Sequence, residues 1–107
     1  MIKVTYHRQY NSVTIEGHAN SGDPGHDLVC AGVSTLAYTL AANVGNLEDC
    51  GMVRNPTVVL EDGKAEIAAN AKPSCKHTAE LVFQSVCVGF EVLSTNCPEY
   101  VSYEILG

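Results

Sequence analysis

The sequence is poor in basic residues. Its 107 residues include 6 Lys and Arg against 12 Asp and Glu, for a net charge of −6, and residues 9–53 and 77–107 contain no Lys or Arg. This deficit argues against a nucleic-acid backbone as partner, because phosphate binding needs clustered cations. The two segments without Lys or Arg either form an ordinary solvated acidic surface or attract a basic partner.

Other common features are missing as well. The chain has no Trp, no run of about 18 apolar residues of the kind that crosses a membrane, and no basic-then-apolar start typical of a secretion signal. We therefore expect a cytoplasmic protein without a membrane-bound segment. With 46% hydrophobic and 17% charged residues, residues 1–107 should form a single folded domain with a modest core.

The cysteines cannot all pair with one another, since there are five of them. The odd number and the missing secretion signal favour free thiols in a reducing compartment. No Cys-x-x-Cys motif occurs, so neither a redox dithiol nor a zinc ribbon is indicated. The cysteines are Cys30, Cys50, Cys75, Cys87 and Cys97. The question is whether one of them is reactive.

Periodic patterns predict an α+β fold. Alternating apolar residues indicate strands at 2–8 and 13–18, paired as a hairpin. Asp62-Gly63, between two further apolar segments, is a strong signal for a second hairpin. A last short strand is expected at 100–106.

Two segments have helical periodicity. In the first, apolar residues recur at steps of four and three, at Val29, Val33, Leu36, Leu40 and Val44. This spacing predicts a helix over about 28–44, with Asp27 as N-cap and Gly45 just after the end. A second helix is expected over about 74–96. The order ββαββα with a short terminal β predicts two layers, an antiparallel or mixed sheet with two helices packed on one face.

A cluster of turn-forming residues lies between the second strand and the first helix. Its two glycines predict a mobile loop. The segment comprises Asn20, Ser21, Gly22, Asp23, Pro24 and Gly25, followed by His26.

Cys30 combines several features of a reactive thiol. In the predicted first turn of the helix, unpaired N–H groups and the positive end of the helix dipole favour a thiolate and could receive an oxyanion. His18, at the end of the second strand, is a candidate base. Asp27 could orient an imidazole or serve only as a helix cap, and Ser34 could hydrogen-bond a bound peptide. The alternative is that Cys30 is an ordinary buried cysteine.

The same residues allow a metal site. His18, His26 and Cys30 could be three zinc ligands, with Asp27 or a water as the fourth. However, no further Cys/His pair stands at ligand spacing. We therefore expect neither a metal nor a cofactor.

The segment from Gly17 to Ser34 has a recognisable pattern. It consists of Gly-His-Ala, a glycine-containing loop, and Gly-His-Asp-Leu-Val-Cys-Ala-Gly-Val-Ser. It resembles the ribosomal-processing cysteine protease Prp family, whose pattern is Gly-His, a flexible loop and Gly-x-Asp-[Ile/Leu]-Val-Cys-Ala-x-Val-Ser. The resemblance extends more loosely over nearly the whole chain, including the Asp62-Gly63 hairpin and the second helix.

The resemblance implies a bacterial cysteine endopeptidase. Such an enzyme removes a short N-terminal extension from a large-subunit ribosomal protein, cutting after an aromatic pair, and forms a homodimer. Cys30 matches the nucleophile, His18 the base, and Asp27 an acidic residue beside the nucleophile. Residues 19–26 match a flexible segment that moves to admit substrate.

Three features depart from the family pattern. His26 stands where Lys is more common, Asp23-Pro24 occupies a loop that often contains Tyr, and Cys97 replaces a common aromatic residue. These differences concern the substrate contacts of the loop and leave the pair of His18 and Cys30 intact.

The charge pattern alone leaves a second function open. A non-catalytic acidic module could bind a basic ribosomal protein through the segments without Lys or Arg.

Overall fold

A computed structural model of the chain describes residues 1–18 and 26–107, with side chains from residue 28 onward in the second range. Five strands and two helices make up this part of the chain. In chain order they are β1 (Ile2–His7), β2 (Ser12–Glu16), α1 (His26–Asp49), β3 (Val53–Glu61), β4 (Lys64–Ala71), α2 (Lys76–Asn96) and β5 (Val101–Leu106). Short 3₁₀ turns at Arg8–Tyr10 and Pro73–Cys75 precede β2 and α2.

The strands form one mixed sheet. Their order across it is β3-β4-β2-β1-β5. β1 is antiparallel to β2 and parallel to β5, while β4 is antiparallel to both β2 and β3. Both predicted hairpins are therefore present, and the α+β class with a mixed sheet is confirmed. The pairing of β2 with β4 joins the two hairpins into one sheet.

The core lies between the sheet and the two helices. α1 packs against β3, β4 and α2, and α2 packs against β5. Buried side chains alternate along β2 and β4, as expected for a sheet with one covered face. Tyr6 of β1 stacks on Phe83 of α2, with ring centroids 6.4 Å apart and an interplanar angle of 11°.

α1 is longer than its apolar spacing predicts. It begins at His26, so Asp27 lies inside its first turn and is not the N-cap residue. Gly45 lies inside the helix, and the prediction that it follows the end is wrong. Gly51 takes that place with φ +74°, since its amide bonds to the carbonyl of Glu48 at 2.9 Å and the next amide bonds to Leu47 at 2.8 Å. This pair of bonds is the usual way a glycine closes a helix.

α1 is more apolar than the expected absence of a membrane-crossing segment implies. A window within Leu28–Asp49 has a mean hydropathy of 1.4, and by length and composition alone this helix could cross a membrane. The expectation that no segment is apolar enough to cross a membrane therefore does not hold for α1 by length and composition. One such helix is weak evidence of a span, because the core helix of a folded domain passes the same test. Val33, Leu40 and Val44 of α1 are indeed buried in the core.

The burial of Phe83 predicts that removing its ring costs far more stability than removing the exposed ring of Tyr10. Phe83 is fully buried, whereas Tyr10 is 70% exposed. Phe83→Ala should lower the free energy of unfolding by about 4 kcal/mol, because it leaves a cavity in the core. Tyr10→Ala should change it by about 0.5 kcal/mol or less. Urea denaturation measures both, and equal losses would contradict this description of the core.

Candidate active site

A cleft of about 350 Å³ opens between α1 and the end of the sheet where β2 approaches the β3–β4 turn. His18 and Cys30 both line it, and so does Ser34. Its apolar lining comes from β1, β2, β3 and α1 and includes Ile2, Ile15, Val33, Ala37 and Leu60. The structure thus brings a thiol, an imidazole and a hydroxyl to one concave surface, although Cys30 and Ser34 follow His18 by 12 and 16 positions in the sequence.

Cys30 reaches the cleft from α1. It is the fifth residue of the helix, and its half-buried side chain packs beside the core, next to the buried Val29. The prediction that Cys30 lies in the first turn is wrong, because α1 begins earlier than the apolar spacing indicates. Unpaired N–H groups belong to the opening turn of a helix. Donors for an oxyanion are therefore to be sought among the amides of residues 26–28, and not at Cys30 itself.

His18 reaches the cleft from the end of β2. Its carbonyl accepts a hydrogen bond of 2.8 Å from the backbone nitrogen of Met1, and the amide of the preceding Gly17 donates to the carbonyl of Gly63 at 3.0 Å. Gly17 has φ +101°, and a Cβ there would collide with the carbonyl oxygen of Met1. The backbone at His18 is thus fixed from two sides, while its side chain is 64% exposed.

The β3–β4 turn contributes two residues that the sequence analysis treated only as a turn. The Oδ1 atom of Asp62 lies 3.9 Å from Nδ1 of His18, and the Asp62 side chain is fully exposed. Gly63, with φ +78°, lies directly against the imidazole. No local signal identifies these residues as part of a site, because only the pairing of β2 with β4 brings them to His18.

Ser34 and Tyr38 extend the α1 side of the cleft. Ser34 lies one turn beyond Cys30 and is exposed, as the prediction of a peptide contact requires. Tyr38, one turn further, is 60% exposed and also lines the cleft. The apolar stripe that predicted α1 does not include Tyr38, so this residue was missed.

Part of the predicted site lies outside the described residues. This applies to loop residues 20–25 and to the side chains of His26 and Asp27. Among the side chains that the structure describes, no group of three or more His, Cys, Asp or Glu could hold a metal ion. The zinc alternative needs the side chain of His26, so it stays untested.

Cys87 illustrates a thiol in the opposite environment. It is 2% exposed in the middle of α2 and forms a hydrogen bond with Tyr103. Burial raises the pKa of the Cys87 thiol to about 11, and burial also raises the pKa of Tyr103. Cys87 is therefore protonated near neutral pH and closed to solvent. It is a core residue, as its position between Val86 and Val88 suggests.

The chain is similar over nearly its whole length to known proteins in sequence and in fold. Over 101 residues the chain is 24% identical to the ribosomal processing cysteine protease Prp of Staphylococcus aureus, covering 94% of this chain and 91% of that protein. The crystal structure of SMU.848 from Streptococcus mutans is similar, with a TM-score of 0.67 and 28% identity over 98% of this chain and 91% of that one.

Two crystal structures of Prp from S. aureus share the fold. One contains a substrate peptide and has a TM-score of 0.70 at 21% identity. The other contains a covalently linked product peptide and has a TM-score of 0.69 at 22% identity. In each case the similarity covers 98% of this chain and 97% of the other.

A thiol and an imidazole on one cleft are the reactive groups of a cysteine protease, and the comparisons place the chain in that class of enzyme. More narrowly, the chain belongs to the cysteine protease Prp family, whose model matches residues 1–102. The family resemblance drawn from the segment around Cys30 is confirmed.

The different environments of the thiols predict a clear order of alkylation. With iodoacetamide near pH 7.5, Cys30 should react first because it lies on an open cleft that His18 also lines. Cys50 is exposed and serves as the reference thiol. Cys87 should stay unmodified in the folded protein because it is buried and its pKa is about 11. Peptide mapping by mass spectrometry measures each rate.

His18→Ala provides the control for this order. It should bring the rate of Cys30 down towards that of Cys50. Equal rates for these two thiols in the wild-type protein would contradict an activated Cys30.

Proposed function

We propose that this protein is an endopeptidase that removes the N-terminal extension of a bacterial large-subunit ribosomal protein during ribosome maturation. Cys30 is the nucleophile and His18 is the general base. The observation that carries the proposal is that these two residues share one cleft in a member of the cysteine protease Prp family. The name of the S. aureus relative and its covalently linked product peptide support the proposal.

The proposed reaction needs one thiol, one imidazole and one water. His18 takes the proton from Sγ of Cys30, and the thiolate attacks the scissile carbonyl to form a tetrahedral intermediate. The amides at the start of α1 stabilise the oxyanion. The intermediate collapses to a thioester as His18 returns the proton to the leaving amine. Water, deprotonated by His18, then attacks the thioester and releases the carboxylate product and the thiol.

The lining of the cleft suits the proposed substrate. Ile15, Val33 and Leu60 offer apolar surface for an aromatic pair before the scissile bond. On the sheet side of the cleft the two carboxylates of Glu61 and Asp62 outnumber the one cation, Lys64, and so favour the positive charge that is common in ribosomal proteins. Ser34, exposed on α1, is placed to hydrogen-bond the substrate backbone. In this proposal residues 20–25 and His26 complete the substrate contacts, and Asp27 acts beside the nucleophile.

We further propose that the protein acts in the cytoplasm as a homodimer. Ribosomal substrates are made and assembled there. Leu81, Val88 and Val92 of α2 are 48%, 58% and 49% exposed. Their spacing of seven and four residues puts them on one face of the helix. An exposed apolar face of this kind is a candidate dimer interface.

Substitution of the nucleophile tests the proposed function directly. Cys30→Ala should lower peptide cleavage by about 10³-fold or more, because no other group supplies the thiolate. Cys50→Ala, which removes an exposed thiol away from the cleft, should cleave at the wild-type rate. The substrate is a synthetic peptide spanning the extension of the ribosomal protein, and product is followed by mass spectrometry.

Two results would contradict the proposal. Unchanged cleavage by Cys30→Ala would rule out this residue as nucleophile. Tight binding of the ribosomal protein without any product, unaffected by Cys30→Ala or His18→Ala, would favour the non-catalytic acidic module instead.

The proposed dimer predicts that charge on the α2 face separates the subunits. Val88→Glu places a carboxylate in the centre of the apolar face without disturbing the core, since Val88 is 58% exposed. Sedimentation should give a dimer for the wild type and a monomer for this variant. Gln9→Glu adds the same charge to an exposed position on another element and should stay dimeric. A wild-type monomer, or a dimeric Val88→Glu variant, would contradict this interface.

A further inference from the structure

We propose that the turn between β3 and β4 positions His18 for the reaction, and that Gly63 is the residue through which it does so. This inference rests on the proposed role of His18 as general base. It adds a positioning residue that contacts the imidazole.

The imidazole of His18 occupies the space that a side chain at residue 63 would need. A Cβ built on Gly63 would overlap Nε2 of His18 and would lie 2.7 Å from Cε1 and 3.3 Å from Cδ2. Gly63 also has φ +78°, which only glycine adopts without strain. The absence of a side chain therefore does two things at this position: it lets the backbone close the hairpin, and it leaves free the space that the imidazole occupies.

The backbone on both sides of this contact is held in place. The amide of Gly17 donates to the carbonyl of Gly63 at 3.0 Å, and the carbonyl of His18 accepts from the nitrogen of Met1 at 2.8 Å. Because the backbone cannot retreat, a Cβ at residue 63 has to be accommodated by rotation of the imidazole. His18 can rotate at low cost, since its side chain is 64% exposed. The expected result is a folded protein with a displaced base.

Asp62 gives weaker support on the other side of the ring. Its Oδ1 atom lies 3.9 Å from Nδ1 of His18, and both side chains are largely exposed. Solvent screens an ion pair of this kind. We therefore assign the positioning to the Gly63 surface, with Asp62 as a secondary contact.

Another glycine of the chain provides a matched control. Gly51 also has a positive φ, +74°, but a Cβ there would meet only Nζ of Lys72 at 3.5 Å. Gly63→Ala and Gly51→Ala therefore introduce similar backbone strain at the end of a regular element. Only Gly63→Ala also pushes on His18.

The experiment compares these two variants with the wild type and His18→Ala. Steady-state cleavage of the extension peptide gives kcat and KM, and thermal melting checks the fold. Carbon–proton NMR spectra give the ring signals of His18, identified by their loss in His18→Ala. Gly63→Ala should lower kcat at least tenfold, with less than a threefold change in KM, and should shift the His18 ring signals. Gly51→Ala should keep kcat within twofold and leave those signals in place.

The opposite outcomes overturn the inference. If Gly63→Ala matches Gly51→Ala in kcat and in the His18 signals, the turn does not position the base. If both variants lose activity equally, backbone strain is the cause. An inactive His18→Ala beside an unaffected Gly63→Ala would overturn this inference and leave the proposed function standing. A fully active His18→Ala would overturn both.

A second pair of variants tests the same contact if Gly63→Ala does not fold. Asn adopts positive φ more readily than Ala, so Gly63→Asn introduces the same collision with less strain. Gly51→Asn is its control. The same loss of kcat and the same shift of the His18 signals are expected in Gly63→Asn, and a variant that matches Gly51→Asn in both would overturn the inference.

Discussion

The pairing of β2 with β4 is the constraint on which the candidate site depends. In this antiparallel register Glu16 lies opposite Lys64, so the residues that follow β2 meet those that precede β4. The bond from Gly17 to Gly63 continues that alignment past the end of the strand. A shift of one residue would turn every side chain of β2 to the other face of the sheet. The register that buries Val13 and Ile15 therefore also delivers His18 to the cleft.

Packing of α1 supplies the other half of the site. The apolar side chains of α1 are buried against the sheet and α2, which fixes the rotation of the helix about its axis. Cys30 lies just beside that buried stripe, so its side chain is half-buried on the cleft and does not enter the core. Cys87, on the buried face of α2, shows the alternative: burial closes that thiol to solvent and raises its pKa to about 11. Helix packing thus decides which of these two cysteines lies on the cleft.

Local signals predicted the elements well and the site only in part. Both hairpins, both helices and the two-layer arrangement follow from periodicity and from Asp62-Gly63, because these patterns act within a few residues of each other. The end of α1 was placed at Gly45 instead of Gly51 because spacing does not show which glycine adopts a positive φ. The contact between Gly63 and His18 could not be predicted, since it depends on a strand pairing between residues far apart in the sequence. The family resemblance around Cys30 identified Cys30 and His18 as the candidate catalytic pair. It did not identify the β3–β4 turn that contacts the imidazole of His18.

In the proposed mechanism the thiol of Cys30 and the imidazole of His18 act together in one cleft. A crystal structure of the protein with a peptide aldehyde that carries the extension sequence would show whether they do. We expect a covalent bond from Sγ of Cys30 to the aldehyde carbon and a ring nitrogen of His18 within hydrogen-bond distance, about 3 Å, of the reacting atoms. An adduct on another thiol, or an adduct on Cys30 with His18 turned away from it, would rule out this mechanism.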